Sequence, residues 1–117
     1  MPYVDGFLVA VPKQNLDAYR TLAGIAGPIW MEHGALSYVE CIGDDVPYGK
    51  VTSFPRAVHA KDDEVVIFSW VTYDSRESRD AIVAKVMEDP RLSDEQWQKI
   101  FDGKRMIYGG FQSFLEL

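Results

Sequence analysis

Several protein classes are excluded by what this 117-residue sequence lacks. It has one cysteine, Cys41, so no intramolecular disulfide can form. It has two histidines, His33 and His59, and neither has a second histidine at ligand spacing, so no metal and no haem are expected. Basic residues are few. Twelve Lys and Arg stand against 18 Asp and Glu, a net charge of −6, and the only basic pair is Lys104 and Arg105. Such a chain repels phosphate backbones, which excludes nucleic acid as a partner. No apolar run approaches the roughly 20 residues that span a bilayer, so no membrane insertion is expected. The opening MPYVDGFLVAV has neither a basic n-region nor a small-residue cleavage site, and with the lone cysteine it points to a reducing cytoplasm. With 47% hydrophobic residues the chain is not disordered, and residues 1–117 are read as a single folded domain.

The hydrophobic pattern predicts the elements in order. Tyr3 to Val11 reads as a strand stopped by Pro12, which has no N–H to give to a ladder. Leu16, Tyr19, Ala23, Ala26 and Trp30 recur at helical spacing, with Asn15 as N-cap, Gly34 beyond the end, and Pro28 predicting a kink or break near Gly27. Ala35 to Ile42 is a second strand. Residues 43–55 form an irregular loop, read as a lid or a dimer-contact arm, after which Arg56 to Ala60 resumes extended structure. Glu64 to Tyr73 is the most strand-like segment. Asp74 and Glu77 have the spacing of a capping box opening a helix with Ile82, Val83, Val86 and Met87 inward. Ser93 and Gln96 signal a second short helix, and Arg105 to Leu115 a last strand with a bulge at Gly109-Gly110. The order β-α-β-β-α-β specifies an α+β, ferredoxin-like fold with a four-stranded antiparallel sheet.

The strands are apolar on both faces, although two helices can cover only one. Tyr3, Phe7 and Val9 alternate with Val4, Leu8 and Ala10, and Ile67 and Val71 alternate with Phe68 and Trp70. An uncovered face of that kind exceeds what a soluble monomer tolerates, and a second copy packed sheet to sheet covers it. A homodimer is therefore expected.

YVDGF, VEC, GKVT, FSW, DPR and above all FDGKRMIYGGF resemble the YbaA-like family of short, uncharacterised bacterial proteins, nearly end to end. The resemblance implies the dimeric α/β-barrel superfamily, in which two ferredoxin-like sheets close into a barrel, often around a small-molecule cavity. It implies no reaction.

Three residues are candidates for acid-base chemistry. Asp5 shares strand parity with Phe7 and is expected to point into the barrel, away from the helices, as a general base; the competing expectation pairs it with Arg105 or Lys104. Glu40 is a second interior acid or a solvated charge. His33 is the third, though a place at the end of the first helix, favoured by the helix dipole, also explains it. Phe7, Trp70 and Tyr108 are expected to line a cavity suited to a flat apolar ligand, with Gly109 and Gly110 letting it approach the backbone. Cys41 is expected under the helices as an inert thiol. The function expected is a homodimer that binds a small apolar molecule in its barrel, without a cofactor, as a cofactor-independent enzyme with Asp5 as base. The alternative is a non-catalytic structural or stress-linked dimer whose barrel is filled by its own side chains.

Overall fold

The computed structural model describes residues 2–117. Four strands, β1 (Tyr3–Pro12), β2 (Ser37–Ile42), β3 (Glu64–Tyr73) and β4 (Ile107–Gln112), form one antiparallel sheet in the order β2-β3-β1-β4. The helices are α1 (Leu16–Glu32), α2 (Phe54–Ala57), α3 (Arg76–Met87) and α4 (Asp94–Gln98). This is the ferredoxin-like arrangement that the β-α-β-β-α-β pattern predicts, with β1 and β3 central because they carry the longest apolar runs.

The faces are the reverse of those expected. Val9, Val11, Ile67, Val71 and Tyr73 pack with Tyr19, Ile29, Ile82 and Val86, so the odd-numbered residues of β1 and β3 lie under the helices. Asp5 and Phe7 are therefore on the helix side. Leu8, Phe68 and Trp70 lie on the open side, with Ile107 opposite Leu8, Cys41 opposite Phe68, and Phe111 opposite Val4. Alternation alone assigns residues to two sets without saying which set the helices cover, because both sets are apolar here. Part of the open side is closed by residues 54–60: Val58 is fully buried against Ala10 and Val66, and Phe54 meets Phe68 edge-on.

Local chemistry accounts for most boundaries. Gly34 follows α1 at φ +115°, a conformation that glycine adopts without strain. α1 runs unbroken through Pro28, because burial of Ala26, Gly27 and Ile29 around it outweighs the ~3 kcal/mol a helical proline costs. Asn15 does not cap the helix; its Nδ2 donates to the carbonyl of Ile100, 2.8 Å away, and ties the start of α1 to the segment after α4. The N-cap of α3 is Ser75, whose hydroxyl accepts from the N–H of Ser78, so a single cap one residue later replaces the expected Asp74–Glu77 box. Met87 is exposed at the end of that helix. Residues 56–60 are not extended, since Ser53 caps α2 and His59 follows it at φ +51°. The 93–96 capping signal is realised, with Gln96 Oε1 accepting from the Ser93 N–H at 3.0 Å.

No bulge interrupts β4. Gly109 and Gly110 pair in continuous register with Gly6 and Asp5. Their small size serves two aromatic rings instead. Phe111 lies over Gly6 and Gly109 on the open side, and Tyr3 occupies the space a Gly110 side chain would need, with ring carbons 2.7 and 2.8 Å from an ideal Cβ.

The end of β3 is held by an ion pair. Arg105 donates through Nη1 and Nη2 to both oxygens of Glu64, each at 2.8 Å, and the Glu64 side chain is only 3% exposed. The guanidinium lowers the Glu64 pKa to about 2, from 4.5. Because the folded value lies below the unfolded one, the pair stabilises the fold above about pH 4.5 and that stability is lost as the pH falls towards 2. Urea unfolding of the parent and of Glu64→Gln across this range is expected to converge in acid and to differ by on the order of 2 kcal/mol near neutrality.

Candidate functional site

The core under the helices is divided. One cluster gathers Ile29, Val71, Tyr73, Ile82 and Val86; the other gathers Val9, Val11, Tyr19 and Ile67. Between them the sheet carries a row set by strand pairing, Glu40 on β2 opposite Ser69 on β3, Ser69 opposite Phe7 on β1, and Phe7 opposite Tyr108 on β4. A cleft of about 1200 Å³ opens above that row. α1 contributes Tyr19 and Trp30 to its walls, α3 contributes Arg79, Val83 and Met87, and Trp97 and Phe101 close it from the segment that includes α4.

Two carboxylates enter the cleft from the sheet, and each is satisfied differently. Asp5, 6% exposed, receives Arg79 Nη1 on Oδ1 at 2.5 Å and the Tyr73 hydroxyl on Oδ2 at 3.0 Å. Tyr73 in turn accepts from Trp30 Nε1 at 3.1 Å. Arg79 also donates to Asp80, 2.7 Å away, and its guanidinium lies 4.9 Å from the centre of the Tyr3 ring. The chain Trp30–Tyr73–Asp5–Arg79 thus ties α1, β3, β1 and α3 together across the cleft floor.

Glu40 has no such cation. Its Oε1 accepts from the Tyr19 hydroxyl at 2.7 Å and its Oε2 from the Tyr38 hydroxyl at 2.8 Å. Gly27 of α1 lets the Tyr38 ring lie close: an added Cβ would stand 3.1 Å from it. Burial, and then the Glu40 carboxylate, push the pKa values of Tyr19 and Tyr38 above the ordinary phenol range. Burial, and then Asp5, do the same to Tyr73. All three remain phenols and serve as donors.

The structure brings Asp5, Glu40, Phe7 and Tyr108 to one cleft, where Phe7 and Tyr108 stack at 6.3 Å. Asp5 pairs with Arg79 rather than with Arg105 or Lys104. Trp70 and Gly109 do not join them; they lie on the open side with Phe68 and Phe111. Cys41, too, is on the open side rather than under the helices. Gly110 borders a separate hollow of about 420 Å³ with Tyr3, Ser75, Arg76 and Gln112. His33 sits outside the cleft at the end of α1, its Nε2 3.4 Å from Asp89 Oδ2. Among the described residues no three His, Cys, Asp or Glu side chains gather where they could hold a metal ion, and no helix is long and apolar enough to cross a membrane.

Sequence reasoning missed Arg79, Tyr38 and Tyr73 as members of the site and treated Tyr19 and Trp30 only as the buried stripe of α1. A Tyr at i and a Glu at i+2 in one strand, as at Tyr38 and Glu40, was the available signal, since both side chains project from the same face. An alkaline ultraviolet titration is expected to show Tyr19, Tyr38 and Tyr73 failing to ionise in the native protein up to about pH 11, and to show Tyr38→Phe reducing that silent group by one.

Comparison with known proteins gives a close relation in sequence and a wider one in fold. The chain is 54% identical over 116 residues to the uncharacterized protein YbaA of Escherichia coli K12, spanning 99% of each, and shows the same identity and coverage with YbaA of Shigella flexneri. Among solved structures it is similar to Rv0793 from Mycobacterium tuberculosis, with 17% identity, 99% and 98% of the chains covered and a TM-score of 0.59. A dimeric ferredoxin-like protein from an uncultured marine organism matches with 12% identity, 95% and 92% covered, at a TM-score of 0.58. SnoaB, a cofactor-independent oxygenase from Streptomyces nogalater, matches with 11% identity, 99% and 96% covered, also at 0.58. These likenesses carry the fold alone. Residues 2–103 match one family model, and the chain belongs to that family, Protein of unknown function (DUF1428).

Proposed function

We propose that this protein is a homodimer that binds a small, largely apolar molecule in the cleft between its sheet and its helices. One observation carries the binding assignment: about 1200 Å³ of space, walled by aromatic rings and floored by two hydrogen-bonded carboxylates, lies inside one protomer. Sites for small molecules have this character, apolar walls with a few fixed polar groups. The binding chamber is thus assigned under the helices and not between two sheets. Within it Asp5 is a fixed anchor, since each of its oxygens already accepts a hydrogen bond.

The dimer assignment draws on the open side of the sheet. Phe68, Ile107 and Phe111 are 42%, 43% and 64% exposed there, beside Trp70 and Leu8. The protomer exposes 7760 Å². A folded monomer of 13.3 kDa exposes about 6,400 Å² by the usual scaling with mass. The excess is comparable to the area one partner loses in a substantial interface. Sheet-to-sheet packing would bury Cys41 and fill the barrel with these side chains, and a lone thiol there suits a reducing compartment such as the cytoplasm.

Native mass spectrometry of the purified protein is expected to give a dimer that carries a small organic molecule. Phe68→Glu places a charge on the open side, and sedimentation is expected to show it as a monomer; a parent protein that sediments as a 13.3 kDa particle at micromolar concentration overturns the dimer. Trp97→Ala opens the cleft wall and is expected to lower retention of the bound molecule by about tenfold or more with the dimer intact. A parent protein that never carries or takes up a small molecule overturns the binding assignment.

A further inference from the structure

We propose that the cleft takes an organic cation, an ammonium or a charged aromatic ring whose positive charge lies against Glu40. The inference rests on the cleft being a small-molecule site and adds the chemical class of its occupant.

The two carboxylates of the floor differ in how they are compensated. Asp5 is neutralised by Arg79. Glu40 is held by two phenol hydroxyls, and among the described residues no Lys, Arg or His nitrogen forms a salt bridge with it. Its charge is oriented but not cancelled. Glu40 is half-buried, and an occupant of the cleft would remove more water from it with only neutral donors to offset that desolvation.

Aromatic rings flank that carboxylate on both sides. Tyr19 contacts Trp97 and Phe101, each with its centroid 5.9 Å away, and Tyr38 contacts Trp30 at 5.8 Å. All five rings line the cleft. Ring faces carry partial negative charge, and a set of them beside a carboxylate is the combination that recognises ammonium groups. The wider rim agrees in sign. Five carboxylates but only Arg79 and Lys104 among cations border the cleft, and Arg79 is already shared between Asp5 and Asp80. An anion would enter against this field, and a neutral molecule would leave Glu40 uncompensated.

Three bicyclic probes of similar size separate the possibilities: 1-methylquinolinium as the cation, quinoline as the neutral ring and 1-naphthoate as the anion. Calorimetric titration of the full-length parent at neutral pH is expected to rank the cation first by about tenfold or more. Glu40→Gln keeps the shape and one acceptor, and is expected to remove that preference while leaving the affinity for quinoline within about twofold. Should the variant not fold, the ranking on the parent alone decides. Quinoline or naphthoate binding as tightly as the cation overturns the cation assignment and leaves the small-molecule site standing. A preference for the cation that survives in folded Glu40→Gln also overturns the assignment to Glu40. Failure of all three to bind to a protein that carries another small molecule in native mass spectrometry overturns the cation assignment alone; failure of all three with no small molecule carried there either overturns the site as well.

Discussion

A carboxylate on the helix-covered face of a sheet must find donors within the protein, because an unpaired buried charge costs more than any nearby apolar contact returns. Asp5, which is buried, and Glu40, which is half-buried, both have such donors, and the cleft is built around them. Donors for Asp5 come from β3 and α3, Tyr73 and Arg79, with Trp30 of α1 behind Tyr73. Donors for Glu40 come from α1 and from its own strand, Tyr19 and Tyr38. Three of the four donors to the acids are aromatic, and so is Trp30 behind Tyr73. Satisfying the acids therefore also lines the space between the two halves of the core with rings.

The same row of the sheet explains why the core is split. Val9, Val11 and Ile67 let α1 and the α4 segment sit close at one end, and Val71 and Tyr73 do so for α1 and α3 at the other. At Glu40, Ser69 and Phe7 the helix side is reached by Tyr19 and other rings rather than by close aliphatic packing, and the cleft opens above this row. The open side follows the opposite logic. Its glycines, Gly6 and Gly109, are filled by Phe111 of the same chain, leaving a surface of rings suited to a flat partner and not to a deep pocket.

Element order was legible because each segment carries its own period: alternation in Glu64 to Tyr73, steps of three and four from Leu16, a cap at Ser93 with Gln96. Errors fell where two local signals competed. Asp74 and Ser75 are both good caps, and the hydroxyl of Ser75 reaches the Ser78 N–H. Gly109-Gly110 has the composition of a bulge, yet the ladder runs straight through because Tyr3 and Phe111 use the missing side-chain volume. Arg56 to Ala60 contains no period long enough to distinguish a strand from one helical turn. Of the site, Asp5, Glu40, Phe7 and Tyr108 were identified as candidates, whereas Arg79 gave no signal, since a polar residue in a charged helix looks like any solvated one.

By itself, the sequence determined the four strands, the main helices, the family and the surplus of apolar surface, all of which depend on residue type and short-range spacing. Only the tertiary structure decided which face of each strand the helices cover. Both faces are apolar, so the choice rests on the long-range demand of Asp5 and Glu40 for Arg79, Tyr73 and Tyr19, partners 21 to 74 residues away along the chain. Burying the other face under the helices would have left those acids on the open side without Tyr19 and Arg79, the partners that α1 and α3 supply.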